Sequence, residues 1–291
     1  MNNTTKNMIL APFNLLYRLS PKLELELMFF LKQGYRLNLR DPKSFNEKIQ
    51  WIKLYDHNPL MPKCCDKFTV REFVEDQGCG EILNDLIWEG FNPEDIPFDS
   101  LPEKYVIKVT YGSSFNIIQN GTAEIIRGGV VKHCKKWLKA KYLPCYGEWF
   151  YGIEKPRIIV EKFIESADDE QLRDYKVFCF NGEPRLIRVD TDRFTEHKMD
   201  FFNCNWERVT NAGMGYPVSG RALERPECLT ELLEYARKLS QPFIHARVDF
   251  YIVREKIYFG EITFTNGAGF DRFRPREFDY ELGACMKLPA K

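Results

Sequence analysis

Residues 245–270, HARVDFYIVREKIYFGEITFTNGAGF, decide the fold of this chain. Alternating and β-branched residues predict two strands, 246–253 and 256–263, with a short polar turn between them. Asp249 lies inside the first strand and Glu261 near the end of the second. In an antiparallel hairpin closed at this turn, the two carboxylates can face one another.

Paired carboxylates of this kind suit a hard divalent cation. Mg²⁺ takes oxygen ligands, keeps several waters, and is commonly held by one or two protein carboxylates together with substrate phosphates. Arg247 lies two residues before Asp249 on the same face of the strand, where it places a fixed positive charge. An ordinary hairpin with a cross-strand charge cluster explains the same residues, so both interpretations stay open at this point.

The same hairpin resembles the C-terminal metal-binding signature of ATP-grasp enzymes. That signature is Arg-x-Asp on one strand, Glu-x-(Asn or Thr) on the next, and then a glycine-containing loop. This chain carries it at Arg247, Asp249, Glu261, Thr263 and the loop that begins at Asn266. The resemblance implies a metal site formed by the last four of these residues. Because Thr263 replaces the more common Asn, a second metal would be bound more weakly or be held by Asn266.

Composition limits the classes of function. A chain of 291 residues, 44% of them hydrophobic, can bury a sizeable core in one large α/β domain or in two lobes. Lys plus Arg and Asp plus Glu number 42 each, so no overall field favours nucleic acid or an anionic surface. The nine cysteines are scattered and never spaced Cys-x-x-Cys, which favours a reducing, cytoplasmic location and gives no zinc-site pattern.

The first apolar run covers residues 8–17 and is interrupted by Pro12 and Asn14. It is too short to span a bilayer, and no small-residue cleavage site follows it. We therefore predict neither a transmembrane segment nor a signal peptide. A peripheral membrane contact through this run stays an open alternative.

Two helices have clear start signals. Ser20 and Pro21 open the first, which should end at Gly34, and a capping box from Ser44 to Glu47 opens the second. We expect both helices to be packing elements, because neither presents a convergent polar group. A third helix is predicted to begin at residue 64 or 66 and to stop before residue 78.

A phosphate-binding strand and turn are predicted next. Residues 105–111, YVIKVTY, form a strand with Lys108 in its middle, and the strand runs into Gly112, Ser113 and Ser114. Free backbone N–H groups in such a turn can hold an anion that the lysine also reaches, although hairpins use the same residues. In ATP-grasp enzymes this combination is the lid lysine and the loop over the phosphates.

Further nucleotide contacts are implied only by the resemblance. The Asp-Lys-x-x-x-Arg run ending at Arg71 corresponds to the family's first nucleotide-binding cation, with Arg in place of the more usual Lys. Residues 157–164, RIIVEKFI, predict an apolar strand. The adenine-binding hinge would consist of four residues at its end: Glu161, Lys162, Phe163 and Ile164.

A second hairpin follows, with residues 174–180 as its first strand and an Asn-Gly turn after it. Asp174 lies where ATP-grasp enzymes often place a ribose-binding carboxylate, and Lys176 points to the same face. Asp190 and His197 belong to a polar segment that we expect to be a solvated turn rather than a metal site. Arg193, in the same segment, could reach the transferred phosphoryl group.

Three longer phrases closely resemble the TupA-like ATP-grasp family: residues 41–51 (DPKSFNEKIQW), 174–182 (DYKVFCFNG) and 258–264 (YFGEITF). The likeness extends from about residue 25 to residue 289, and members occur among bacterial capsule, exopolysaccharide and teichuronopeptide genes. It implies an α/β (α+β) fold, the ATP-grasp two-lobe clamp with an N-terminal helical extension. The implied domains are the extension (1–60), the N-terminal part of the core (61–104), the lid (105–163) and the C-terminal subdomain with the metal site (164–291).

The activity implied by the resemblance is ligation of a carboxylate to an amine, with ATP and Mg²⁺ as cofactors and an acyl phosphate as intermediate. Positioning and charge neutralisation carry phosphoryl transfer of this kind. The implied catalytic residues are Lys108, Lys176, Arg193 and Arg247. The partners would be a small-molecule amine and a carboxylate, or a capsular or exopolysaccharide precursor, and no nucleic acid is expected.

Two other classes of protein stay open at this stage. A nucleotide-sugar glycosyltransferase would carry an Asp-x-Asp metal motif, and residues 190–192 fit its letters, but no βαβ pattern precedes them. A non-catalytic nucleotide-binding module would keep the lysines and lose the carboxylates. Here Asp249 and Glu261 are both present.

Overall fold

The computed structural model describes residues 3–112, 114–121, 126–166, 172–192 and 195–289. The helices of this part are α1 (Asn3–Leu19), α2 (Pro21–Gln33), α3 (Phe45–Tyr55), α4 (Leu60–Cys65), α5 (Val70–Asp76), α6 (Arg127–Leu138), α7 (Leu229–Ser240) and α8 (Glu277–Cys285). The strands are β1 (Leu86–Gly90), β2 (Tyr105–Val109), β3 (Asn116–Gln119), β4 (Ile158–Lys162), β5 (Asp174–Phe180), β6 (Glu183–Thr191), β7 (Lys198–Phe202), β8 (His245–Val253) and β9 (Lys256–Thr263).

The first sheet has the strand order β1-β4-β2-β3, and all its neighbours run antiparallel. Side chains alternate along β2, so that Ile107 and Val109 are buried against Val130 and Cys134 of α6. Lys108 lies between these two apolar residues and therefore points to the opposite face. One face of this sheet is thus a small core, and the other is free to carry charge.

The second sheet has the order β7-β6-β5-β8-β9 and is also antiparallel. Val248 and Phe250 of β8 are fully buried in the main core, which also includes residues of α3, α7 and α8. Asp249 lies between them and faces the other side of the sheet. The turn between β8 and β9 has positive φ at Arg254 (48°) and Glu255 (61°), as a two-residue hairpin turn requires.

The helix starts follow the sequence signals closely. The Ser20 hydroxyl caps α2, and Gly34 ends it in a left-handed conformation. The predicted capping box at the start of α3 is complete, with Ser44 and Glu47 each accepting from the other's backbone N–H. Both predictions are confirmed.

The third predicted helix is wrong at its start, because α5 begins only at Val70 and a break separates it from α4, which ends at Cys65. The break lies at Asp66, whose backbone is extended (φ −90°, ψ 131°). Its Oδ1 accepts from the backbone N–H groups of Phe68 at 2.9 Å and Thr69 at 3.0 Å. A side chain that satisfies these donors competes with the helical hydrogen bonds and stops α4.

The predicted α+β class is confirmed by these helices and antiparallel sheets. Strand β1 pairs with β4, so the sheet of the predicted lid also takes in residues before position 105. The division of the chain into domains stays a proposal. Within the described ranges, no helix combines the length and the apolar character that crossing a membrane requires.

Candidate active site

The polar face of the second sheet holds a compact group of charged side chains, which we call the hairpin cluster. Its members are Asp174, Lys176, Arg188, Asp190, Arg247, Asp249 and Glu261. Strand register places them together, because Lys176 is opposite Asp249, which in turn is opposite Glu261. Residues directly opposite in a sheet share a face.

Arg247 is the centre of the metal-ligand set predicted from the sequence. Its Nε and Nη2 donate to the two carboxylate oxygens of Asp249 at 2.7 and 2.8 Å. Nη2 also donates to Glu261 Oε1 at 3.3 Å and to Thr263 Oγ1 at 3.0 Å, and Nη1 donates to Asn266 Oδ1. The four predicted ligands are therefore brought together, and in this structure they surround a guanidinium.

Lys176 is enclosed by three carboxylates. Its Nζ lies 2.6 Å from Asp249 Oδ2, 3.5 Å from Asp174 Oδ2 and 3.9 Å from Asp190 Oδ2. Asp174, the predicted ribose ligand, is buried and belongs to this network. Lys176 therefore ties β5 to β8 through a charge-assisted hydrogen bond, and a longer ion pair links it to Asp190 on β6.

Electrostatics keeps Asp249 and Arg247 ionised despite their burial. Burial favours the neutral acid at Asp249, but Arg247 and Lys176 outweigh it and lower the pKa of Asp249 to about 2. Burial also opposes the charge on Arg247, but Asp249 and Glu261 outweigh it and raise the pKa of the guanidinium above its usual value. Each charge stays because its partners are close and correctly oriented.

The residues of the hairpin cluster fit a bound Mg²⁺. Three cations and four carboxylates leave one negative formal charge in excess. The Glu261 side chain is 44% exposed, whereas that of Asp249 is 4% exposed, so Glu261 is the carboxylate that a cation from solvent reaches first. Among the described residues, no group of three or more His, Cys, Asp or Glu side chains could hold a metal by itself. A hard cation here would need further oxygen ligands from a substrate, as is usual for Mg²⁺.

A second charged group, the lid cluster, consists of Arg71, Lys108 and Glu161. Lys108 Nζ lies 2.6 Å from Glu161 Oε2, and Arg71 Nη1 lies 3.4 Å from Glu161 Oε1. Arg71 Nη2 also donates to the Asn84 carbonyl at 2.8 Å. Two predicted phosphate-binding cations therefore meet at the carboxylate predicted to hold adenine, and Asn84, which the sequence analysis missed, positions one of them.

The predicted phosphate turn follows β2. Gly112 and Ser114 both have positive φ, at 80° and 62°. A Cβ at Gly112 would lie 2.9 Å from the Phe115 ring, so the turn depends on a glycine there. Lys67 Nζ donates to the Gly112 carbonyl at 2.8 Å. The other two predictions for phosphate contacts, Ser113 and Arg193, lie outside the described residues.

The predicted hinge borders a cavity of about 250 Å³ between the two sheets. Lys162, Phe163 and Ile164 line it on one side, and Lys256 and Tyr258 of β9 line it on the other. The Asn84 side chain, which also lines it, donates to the Lys162 carbonyl at 2.7 Å. The cavity therefore joins the lid sheet to the strand that carries Glu261.

Helix α3 contacts the site, so the expectation that it lacks a convergent polar group is wrong. Gln50 Nε2 donates to the carbonyls of Ala268 at 3.2 Å and Gly269 at 2.8 Å, and Lys53 Nζ donates to Ala268 at 2.9 Å. Asn46 Nδ2 donates to the Asp271 carbonyl at 2.9 Å. Positions 46, 50 and 53 share one helix face, and this spacing in a buried helix was the available sequence signal. They hold the loop that carries Asn266.

The polar segment after β5 also differs from expectation. Asp190 is buried inside β6 with Arg188 Nε 3.1 Å away, so it is not part of a solvated turn. Met214 lies over this region, and its sulfur accepts from Arg188 Nη1 at 3.4 Å and from Asn266 Nδ2 at 3.3 Å. No sequence pattern indicated the position of Met214, because it reaches the sheet from a long connection.

The family model described as TupA-like ATPgrasp matches residues 47–287 of this chain. No curated protein gives a significant match.

Among solved structures, the chain is similar to D-alanine–D-alanine ligase from Bacillus anthracis, with 18% identity and a TM-score of 0.41 over 69% of this chain and 57% of that one. It is similar to D-alanine–D-alanine ligase from Helicobacter pylori, with 12% identity and a TM-score of 0.46 over 84% and 70% of the two chains. For L-amino acid ligase from Bacillus licheniformis the values are 13% and 0.46, over 77% and 49%. The chain thus spans little more than half the length of the first ligase.

Proposed function

We infer the function of this chain from one premise, which is that it belongs to the TupA-like ATP-grasp family. We propose that it is an ATP- and Mg²⁺-dependent ligase that joins a carboxylate to an amine. The observation that carries this proposal is the convergence of Asp249, Glu261 and Asn266 on Arg247, with Lys176 on the adjacent strand. This places fixed cations and oxygen ligands together on one sheet face, the arrangement that phosphoryl transfer needs.

ATP would bind between the two sheets. The hinge segment Lys162 to Ile164 lines the cavity that would take the base, and Lys108 and Arg71 would meet phosphate oxygens. In the ligand-free chain both cations contact Glu161. Phosphates would compete with that carboxylate for the same donors, so nucleotide binding would rearrange the lid cluster.

Mg²⁺ would be held by Asp249 and Glu261 with Asn266, and it would neutralise charge on the transferred phosphoryl group. Arg247 would keep these ligands in place and add a fixed positive charge. Lys176 would supply a second cation from β5. We extend the same role to Arg193 by family resemblance alone.

The chemistry would proceed in two steps. A carboxylate oxygen of the substrate attacks the γ-phosphorus of ATP, the bond to the β-phosphate oxygen breaks, and ADP leaves. The amine nitrogen then attacks the acyl carbon, phosphate departs with the bonding pair, and the amine proton passes to solvent or phosphate. No covalent nucleophile on the chain is needed, so the protein contributes positioning and charge.

For the substrates, we propose an amino acid or another amine and a carboxylate of a capsular or exopolysaccharide precursor. This proposal rests on the family resemblance. We also propose that residues 105–163 act as the lid and residues 164–291 as the metal-binding subdomain. The glycosyltransferase alternative is less favoured, because Asp190 is buried in an antiparallel strand rather than exposed after a parallel one.

The test is incubation of the protein with ATP, Mg²⁺, uronic acids and single amino acids, following ADP release and the mass of any amide. Hydroxylamine in place of the amine should trap the acyl phosphate as a hydroxamate. Omission of the carboxylate is the control and should abolish ADP release. Release of UDP from a sugar nucleotide, without ADP formation, would overturn the proposal.

A further inference from the structure

The N-terminal helices expose an unusual amount of apolar surface. Met8, Leu15 and Leu19 of α1 are 70%, 61% and 77% exposed, and their spacing places them on one face of the helix. On α2 the exposed apolar residues follow a similar spacing: Leu23, Leu27, Phe30 and Leu31. We call this surface the outer stripe. Apolar patches of this kind on a soluble protein mark a surface that meets something else.

The outer stripe is not required for folding, because the two helices bury a different face. Leu10 of α1 and Leu25, Met28 and Phe29 of α2 form a small core with Phe270. Both helices are therefore apolar on two sides, whereas a helix on a protein surface normally has a polar outer side. The inner face accounts for packing, and the outer stripe needs another explanation.

The outer stripe belongs to a segment with an excess of positive charge. Residues 1–33 contain four basic residues, Lys6, Arg18, Lys22 and Lys32, and two acidic ones, of which Glu24 is fully buried. The other, Glu26, is half-buried and lies 3.9 Å from Lys22. Arg272 is exposed and adds a further positive charge next to Lys32, because its Nε donates to the Lys32 carbonyl at 2.8 Å.

We propose that the α1–α2 hairpin is a docking surface for an anionic lipid bilayer. Aliphatic side chains on one face with lysine and arginine around them are typical of helices that lie in the headgroup region of a membrane. A second copy of the chain fits less well, because a two-fold contact through the stripe would bring like charges together. Five of the seven side chains in the stripe are leucine and none is Tyr or Trp, the residues that are enriched at the centre of protein interfaces.

The hairpin is connected to the active site through its inner face. The core that it shares with Phe270 also contains Ala268, in the loop that follows Asn266. Docking through the outer stripe would therefore hold the ligase site next to the membrane surface. An acceptor substrate carried on a lipid would then be presented to this site, a consequence that rests on the proposed function.

The experiment is flotation of the full chain with vesicles of phosphatidylcholine alone or with an equal part of phosphatidylglycerol. We expect flotation with the anionic vesicles only, and less of it at high salt. Replacement of the outer stripe in Leu19→Ser/Leu23→Ser should weaken partitioning about tenfold or more. Charge reversal in Lys22→Glu/Lys32→Glu should do the same at low salt, by at least about tenfold.

The matched control is Ile126→Ser/Ile153→Ser, which changes two apolar side chains of similar exposure, 79% and 57%, outside the hairpin. It should float like the parent chain. Thermal melting should be the same for all variants, because the substituted side chains are exposed. The proposal is overturned if no vesicle recruits the protein, or if the Leu19/Leu23 variant floats unchanged. It is also overturned if these substitutions only dissociate a dimer in sedimentation equilibrium.

Discussion

Two buried sets of titratable side chains in this molecule behave in opposite ways. In the hairpin cluster, Asp249 accepts hydrogen bonds from Arg247 and Lys176, and its pKa is lowered to about 2. Beneath the N-terminal helices, both carboxylate oxygens of Glu24 lack a hydrogen-bond partner within the described part of the chain. Burial raises the pKa of Glu24 to about 8. Lys53, which donates to neutral carbonyls, has its pKa lowered by burial to about 7.

The comparison shows that burial alone does not decide whether a group stays charged. A charge persists where close, oriented partners outweigh desolvation, and it is lost where they are missing. Arg247 and Asp249 keep their charges on the sheet face where phosphoryl transfer is proposed. Burial instead favours the neutral forms of Glu24 and Lys53, where the N-terminal helices pack on the loop of Asn266.

The largest effect is expected for Asp249→Asn. It removes a proposed metal ligand and leaves Arg247 and Lys176 with one carboxylate fewer, so ligation should fall about 10³-fold and stability by about 3 kcal/mol. Steady-state kinetics and urea denaturation measure the two losses. Full stability together with full ADP release would show that the hairpin cluster is not a functional charge site.

Glu261→Gln should separate catalysis from packing more cleanly. The Glu261 side chain is 44% exposed, so its loss should lower turnover about 10²-fold with little change in melting temperature. The control is Glu183→Gln, a strand residue of similar exposure (51%) paired with Arg237. Excess Mg²⁺ or Mn²⁺ should partly restore the Glu261 variant. A loss of turnover that merely follows the unfolded fraction would contradict a metal-binding role.

The two lysines provide a direct test of the comparison. Lys176→Met leaves three buried carboxylates without their shared cation, and we expect it to cost about 3 kcal/mol of unfolding free energy. Lys53→Met leaves only two carbonyls without a donor, at a cost of about 1 kcal/mol. Urea denaturation of both variants at pH 8 gives the difference. Equal losses would mean that the two lysine sites do not differ in the way that the comparison requires.

The last effect is a change of stability with pH. The pKa of Glu24 rises from 4.5 in the unfolded chain to about 8 in the folded one. Stability should therefore fall as pH increases from about 4.5 to 8, because the folded state holds the proton more tightly. Glu24→Gln should remove this slope and become more stable than the parent above about pH 6. The titratable groups that face Glu24 are Tyr17 and Lys53, and both stay in the variant.

Melting temperatures across the range from about pH 5 to about pH 8 would show the effect as a growing gap between the parent and the Glu24→Gln variant. Parallel curves would mean that Glu24 is ionised in the folded protein at neutral pH. Glu24 and Lys53 would then resemble the hairpin cluster, and the comparison would fail.

Much of the site was predictable because its signals are local. The strand alternation around Asp249 and the short turn after it predicted a hairpin, and register then placed Glu261 opposite. Lys108 was noticeable as one charge in an apolar strand. Asn46, Gln50 and Lys53 were missed because their partners lie more than 200 residues away along the chain, and a polar residue in a helix otherwise suggests solvent.

The sequence by itself determined the local elements: the alternation of β8, the capping box of α3, the turn residues and the family phrases. These depend on neighbours within a few positions, so short-range geometry is enough to predict them. Only the tertiary structure decided which partner each charge received. It placed Arg247 among the predicted metal ligands, and it left Glu24 buried without a hydrogen bond within the described ranges. The energy of a buried charge depends on its surroundings within a few ångströms, and distant parts of the chain supply those surroundings.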